Sequence, residues 1–381
     1  METKRANWAR SLSDDQAFKL EQDRLGSVWT LLGITHDLKK DGDWIRATLG
    51  GRSVFVQRFG DLLKGFENRC AHRSYPLKTS DKGNGPLICG FHHWRYNQEG
   101  RAVEIPICRE VFGVEPRELT PMLKPLEIAT CGSLVFGRYP KDGASESLET
   151  FLGEGFPILE AMCSIPDKAY PVEDAVEANW KLLYQITLDD YHIVAVHDRP
   201  YYHQNRDLHY FRFGARDAHS AHFVGDADTF SSMAEDCRAN RYRPSAYRIL
   251  NVFPNVAVSL FRAVPYWYCL VQQFVPLGRA RSVQKGWFYR TNFLRDEERT
   301  FDRLTRPFSE PIRARIVRYY VEKTGDEDHR ACEEWQTIAH QIDRWPILGA
   351  QETRVEWFEE SYAQTLGQSF SGPKSNLSEA V

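Results

Sequence analysis

The chain has 381 residues, enough for two or more domain-sized units with a substantial core. Its net charge of −3, with both signs mixed and no long basic run, argues against a nucleic-acid binder. No apolar run approaches the roughly eighteen residues of a membrane span, and Met-Glu-Thr-Lys-Arg-Ala-Asn at the N-terminus is no signal-peptide start. A soluble, cytoplasmic protein with no nucleic-acid or membrane partner is expected.

Residues 15–32 mix charges with Phe18, Leu20, Leu25, Val28 and Trp29, a pattern that predicts an amphipathic helix followed by a first strand. From Gly42 the pattern shifts to short β-rich runs, Trp44–Leu49, Ser53–Arg58 and Leu63–Glu67. Gly50-Gly51 joins the first two as a hairpin. Further strands end with Gly132–Gly137, so a small antiparallel β domain is expected over residues 33–140, after an N-terminal helical segment (1–32) that packs on the second domain. Tyr139–Ser147 is polar and turn-rich and marks a boundary. Beyond it, Pro171–Ala178 leads into a helical segment from about Asn179. Arg248–Phe253, Val256–Phe261 and Tyr266–Val275 read as strands, with Pro254-Asn255 as a turn. Two charged stretches, Arg295–Tyr320 and Asp328–Ile342, read as helices. The fold class is therefore α+β, with an antiparallel sheet flanked by helices over residues 141–370 and a flexible tail at 371–381.

The chemistry concentrates first between Asn68 and Gly100. Cys70-Ala-His72 is followed, after sixteen intervening residues, by Cys89-Gly-Phe-His92. One thiolate and one imidazole per loop suits two sulfide-bridged irons, with cysteines on one and histidines on the other. Pro76, Gly83, Gly85, Pro86 and Gly90 supply tight turns around the pair. Zinc is the alternative for a Cys2His2 set, although zinc fingers usually pair like ligands within each loop. The stretch resembles the Rieske iron–sulfur motif, and by that resemblance Cys70, His72, Cys89 and His92 hold a [2Fe-2S] cluster. His93 falls outside the Cys-x-x-His spacing, and Trp94 and Tyr96 are expected to cover the cluster. The other six of the eight cysteines share no spacing and read as free buried thiols.

A second constellation follows: Asn179-Trp180-Lys181, then Asp189-Asp-Tyr-His192-Ile-Val-Ala-Val-His197. Two histidines and one carboxylate with open positions form the facial set that binds non-haem Fe(2+). Residues i and i+5 lie on different faces of a regular α-helix, so the helix must widen or break between His192 and His197. Asp189, three residues before His192, would share its face. The signature resembles that of Rieske non-haem iron oxygenases, the aromatic ring-hydroxylating family. That resemblance implies His192 and His197 as iron ligands, with a distant acid as the third. Asp328, Glu333 and Gln336 reproduce the family's register and assign Asp328, with Asp326 and Glu327 as alternatives. Without a metal, Asp328 would read as a carboxylate at a helix N-terminus. The resemblance gives Asp189 a different role, linking His192 to a cluster histidine, His92, of the neighbouring subunit. The family often has Glu-Asn where this chain has Tyr184-Gln185, so substrate contacts do not transfer there. His203, His209, His219 and His222 match no metal spacing and read as surface or pocket-rim residues.

The resemblance covers nearly the whole chain. It implies the terminal oxygenase (α) subunit of a multicomponent enzyme that uses O2 and hydroxylates a small aromatic substrate, carboxylated or not. Electrons would come from NAD(P)H through a separate reductase, with or without a ferredoxin, because this chain has no flavin or dinucleotide fingerprint. A homotrimer is implied, with or without a small β subunit. Oxidative N- or O-demethylation is the enzymatic alternative, and a Rieske electron carrier without catalytic iron is the alternative from another class. Arg262 and Arg318 are candidates to hold a substrate carboxylate.

Overall fold

A computed structural model describes residues 7–141, 146–165, 168–197, 207–225, 229–263, 266–293, 300–342 and 345–368. The tail expected at 371–381 and His203 lie outside these residues. The chain divides into two compact units, one of residues 22–148 and one that combines residues 1–21 with 149–381.

The smaller unit is antiparallel β. Its strands are β1 (Thr30–Ile34), β2 (Asp43–Leu49), β3 (Arg52–Phe59), β4 (Leu62–Glu67), β5 (Lys82–Asn84), β6 (Arg95–Tyr96), β7 (Ala102–Glu104), β8 (Pro125–Cys131) and β9 (Leu134–Arg138). Seven of them form one sheet in the order β1-β9-β8-β4-β3-β2-β5, while β6 and β7 pair separately. The hairpin expected at Gly50-Gly51 is present, and both glycines take positive φ (55° and 69°), as a two-residue turn matched to strand twist requires. Val54, Phe55 and Val56 are all buried, so the middle of β3 has neither face in solvent; β3 is an interior strand between β4 and β2.

The larger unit holds a second seven-stranded antiparallel sheet. Its strands are β10 (Tyr170–Val176), β11 (Leu208–Phe213), β12 (His219–Val224), β13 (Arg248–Val252), β14 (Val256–Ala263), β15 (Tyr266–Gly278) and β16 (Arg281–Arg290). Their order is β10-β16-β15-β14-β13-β12-β11. Only β13, β14 and β15 are legible as apolar runs. β11, β12 and β16 carry His, Arg, Gln and Gly among their apolar residues, and neighbouring strands rather than local pattern hold them in place. Pro171–Ala178, expected as a lead-in, overlaps the edge strand β10, where Pro171 is tolerated.

Six helices carry the argument: α1 (Asn7–Ser13), α2 (Asp15–Leu25), α3 (Trp180–Ile186), α4 (Ile193–Val196), α5 (Thr300–Ile338) and α6 (Thr353–Thr365). The two helices expected at 295–320 and 328–342 are one helix, α5, which runs unbroken through Gly325. Ala314, Val317 and Val321 of α5 pack on Val172, Tyr268, Leu270 and Phe288 of the sheet, and this burial outweighs the propensity cost of one glycine. Among the described residues, no helix is long and apolar enough to cross a membrane.

A buried polar knot ties the N-terminal helices to the larger unit. Lys181 and Glu21, both fully buried, form an ion pair at 2.7 Å. Trp180 Nε1 donates to the other Glu21 oxygen at 2.7 Å, and Ser11 and the Tyr362 hydroxyl complete the group. Burial opposes ionisation of Glu21, yet Lys181 beside it holds the carboxyl below its ordinary value. Asn179 caps α3 through Lys181 N–H and donates its amide to Arg279 O at 2.6 Å. The Asn-Trp-Lys triplet is thus a folding device as well as a signature.

Candidate metal centres

The two loops of the smaller unit are built alike. In the first, Cys70 N–H donates to Tyr75 O and Ser74 N–H to Cys70 O; in the second, Cys89 N–H donates to Trp94 O and His93 N–H to Cys89 O. Each cysteine therefore closes the same ring with the residues four and five positions on. The residue at the fourth position is left-handed in both, Ser74 at φ 62° and His93 at φ 58°. His93 occupies the turning position rather than a ligand position.

This frame buries both thiols, Cys70 and Cys89, and leaves His72 half-buried and His92 exposed. The two Nδ1 atoms face each other at 3.3 Å. Trp94 stacks on His72 at 4.7 Å with the planes 8° apart. Tyr96 donates no cover to solvent but reaches inward, its hydroxyl 3.0 Å from Cys70 Sγ and accepting from Ala71 N–H at 3.1 Å. Burial pushes the Cys70 thiol up, with the Tyr96 hydrogen bond opposing. Two buried thiols and two more exposed imidazoles are a ligand set that fits a [2Fe-2S] group, which Cys70, Cys89, His72 and His92 would hold.

In the larger unit, α3 ends at Ile186 and the chain turns through Leu188–Tyr191 before the single turn α4. The helix thus breaks, as the i, i+5 spacing demands, and His192 and His197 bracket α4 at its two ends. Asp189 is not helical, and its relation to His192 differs from expectation. Its Oδ1 accepts from the backbone N–H of Tyr191 at 2.7 Å and of His192 at 3.2 Å, an Asx-type turn. With that oxygen committed, the Asp189 backbone carbonyl, not the carboxylate, accepts from His192 Nδ1 at 2.6 Å; Oδ2 stands 4.0 Å away.

Asp328 arrives from the last third of α5, not from a helix start, so the dipole explanation for this acid does not apply. Its Oδ1 lies 3.5 Å from His192 Nε2 and 3.2 Å from His197 Nε2, and the three groups present ligand atoms all within 4.8 Å of one another. His197 Nδ1 donates to Glu327 Oε2 at 2.8 Å. Both imidazoles thus spend their Nδ1 proton on an oxygen behind them, which turns an Nε2 lone pair forward. Asp328 Oδ1 is buried and makes no hydrogen bond. Two lone pairs and an orphaned carboxylate oxygen converging without a proton between them fit a cation, and two histidines with one carboxylate suit iron(II).

Among the alternatives for the third ligand, Glu327 has a task of its own as the orienting carboxylate of His197. No spacing rule distinguishes an orienting acid from a ligand one residue away. Two of the four discounted histidines are not at the surface. His219 is buried, accepting from Phe253 N–H and bonding Phe151 O, and His222 is buried with Nδ1 2.9 Å from Asp190 Oδ1. Both sit on β12, a strand the pattern did not reveal. Arg318 is engaged by Glu322 and by Pro171 O, and Arg262 is exposed, so neither is gathered into this cluster. Tyr184 packs on Phe274 and Phe358, and Gln185 donates to Glu359, which places both in the core.

A paired-loop cluster domain and a two-histidine, one-carboxylate centre in a helix-flanked sheet define the class of Rieske non-haem iron oxygenases. Residues 28–118 match the Rieske [2Fe-2S] domain, and residues 159–368 match the catalytic domain of the ring-hydroxylating alpha subunit. The chain belongs to that family, whose cofactors are a [2Fe-2S] cluster and a mononuclear iron. It is 30% identical over 193 residues to the chlorobenzene dioxygenase subunit alpha of Cupriavidus sp. (strain PS12), covering 48% of this chain and 42% of that one. It is 26% identical over 194 residues to the N,N-dimethyl phenylurea N-demethylase subunit alpha of Sphingobium sp. (strain YBL2), covering 48% and 42%. The chain thus spans less than half the length of these curated relatives. Its fold is shared with naphthalene 1,2-dioxygenase from Rhodococcus sp. at a TM-score of 0.70 and 18% identity, over 94% of this chain and 93% of that one.

Proposed function

We propose that this chain is the terminal oxygenase subunit of a cytoplasmic multicomponent Rieske oxygenase that hydroxylates a small aromatic substrate with O2. The observation that carries the reading is the convergence of His192 Nε2, His197 Nε2 and the unbonded Asp328 Oδ1. When bound, the cluster of Cys70, His72, Cys89 and His92 supplies single electrons, and the iron of His192, His197 and Asp328 supplies dioxygen binding and activation. The chain's own residues do the rest by orientation. Glu327 and the Asp189 carbonyl fix the two imidazole tautomers, and Trp94 shields His72 from water. Electrons are expected from NAD(P)H by way of a reductase, alone or through a ferredoxin.

The subunit is expected to work as a homotrimer, in which Asp189 Oδ2 reaches His92 of the partner subunit. Oxidative N-demethylation is the second reading, favoured by the likeness to a relative that carries that name. Iron analysis separates both from a bare electron carrier. Three irons per chain are expected; two per chain, with His192→Ala unchanged in iron content, would leave only the carrier. Asp189→Ala is expected to keep both metals and lose turnover with an unchanged cluster spectrum, and full activity in that variant would remove the inter-subunit link.

A further inference from the structure

The turn that carries His192 and His197 has almost nothing of its own to hold it. Helix α4 is four residues long and none of them is buried, so apolar packing cannot fix the two imidazoles. The polar contacts on its N-terminal side are correspondingly dense, and they converge on the residue next to Asp189. Asp190 N–H donates to Gln351 O at 3.1 Å. Its Oδ2 accepts from Arg354 Nη2 at 3.0 Å, and its Oδ1 lies 2.9 Å from His222 Nδ1; the three side chains are between 1% and 8% exposed. Arg354 Nη1 in turn donates to Asn251 Oδ1 at 2.8 Å, and Asn251 Nδ2 donates to Thr187 Oγ1 at 2.7 Å. The ring closes on the segment it started from. Strands β12 and β13 and helix α6 thus all grip the stretch between α3 and α4.

We propose that Asp190 is a positioning residue for the metal centre: clamped by Arg354 and His222, it fixes the turn that aims His192 and turns the Asp189 carboxylate away from the buried ring. The inference rests on the reading of His192, His197 and Asp328 as a metal site. The two adjacent acids have divided roles. Asp189 spends one oxygen on the local turn and stays a quarter exposed, whereas Asp190 makes no bond to the turn's backbone and spends both oxygens on distant elements. A buried ion pair could serve stability alone, but this one is placed two residues before a ligand, on a short segment where it is the one side-chain ion pair to both β12 and α6 among the described residues. Its expected effect is therefore on metal affinity, a quantity that bulk stability does not set.

The test uses the full chain with its cluster intact and Co(II) as the probe, counted by elemental analysis after equilibrium dialysis. The wild-type chain is expected to take one Co(II). Asp190→Asn is expected to bind about tenfold more weakly, the scale on which second-layer partners act, with the cluster absorption unchanged. His222→Gln keeps the ion pair, is the milder change, and is expected to weaken binding in the same direction. In a double-mutant cycle, Asp190→Asn with Arg354→Met is expected to bind no more weakly than the weaker single variant, since both remove one clamp. Co(II) binding equal to wild type in Asp190→Asn and His222→Gln would overturn the inference while leaving the metal site standing. A wild-type chain that binds no Co(II), or whose binding survives Asp328→Ala, would overturn the metal reading and this inference with it.

Discussion

His219 and Glu359 are two buried titratable groups of the larger unit that lean in opposite directions. Burial holds His219 down from 6.5 to about 4, with the Phe151 carbonyl opposing. The folded chain therefore binds fewer protons here than the unfolded one, so this contribution to stability is whole above pH 6.5 and lost as pH falls towards 4. Burial pushes Glu359 up from 4.5 to about 8, with Lys181 opposing. Its contribution is whole below pH 4.5 and lost as pH rises through 8. Melting temperature against pH is expected to be dome-shaped, with His219→Gln flattening the acid limb and Glu359→Gln the alkaline limb. Variant curves that run parallel to wild type would assign the dome to other groups. At this scale the sequence singled out the candidate ligands, Cys70, His72, Cys89, His92, His192 and His197, because within each loop or turn they lie a few residues apart. It named Glu327 only as an alternative ligand and did not connect His222 or Arg354 with Asp190, because the partners of these three lie 130, 32 and 164 residues away.

Among the elements, β16 shows how a weak local pattern is overruled. Gly286 in its middle pairs with Val172 on one side and Gln272 on the other, and a Cβ built there would stand 1.8 Å from Val271 O. The strand can lie in the interior of the sheet only because this position has no side chain. Gly286→Ala is expected to force β15 and β16 apart and cost about 1–3 kcal/mol, read as a lower denaturant midpoint. An unchanged midpoint would mean that the sheet absorbs the methyl group. Helix α5 teaches the complementary lesson. Its sequence reads as two helices, Arg295–Tyr320 and Asp328–Ile342, yet packing on the sheet carries one helix across the residues between them. That continuity is what delivers Asp328 and Glu327, neighbours on one helix, to opposite sides of His197.

For the whole molecule, the first 21 residues belong with residues 149–381 rather than with the sheet that follows them. Glu21 is the pin, since it neutralises a lysine with no exposed surface. Glu21→Ala leaves that charge in the interior and is expected to cost the larger unit about 3–5 kcal/mol. The unfolding midpoint followed by near-ultraviolet dichroism is expected to fall accordingly, and a midpoint unchanged from wild type would remove Glu21 from that role.

The sequence by itself marked the candidate ligands of this protein: two Cys/His loops, a histidine pair at a spacing no regular helix can use, and an acid in family register. These signals are short-range, and metal ligation tolerates few residue types, so they survive in a linear reading. The tertiary structure alone decided which acid faces both Nε2 atoms and which bonds His197 Nδ1, that Asp189 reaches His192 through its backbone, and that Asp190 is buried while its neighbour is not. Those outcomes depend on strands and helices brought together from far along the chain, where burial and competing hydrogen bonds choose between residues that look the same in sequence.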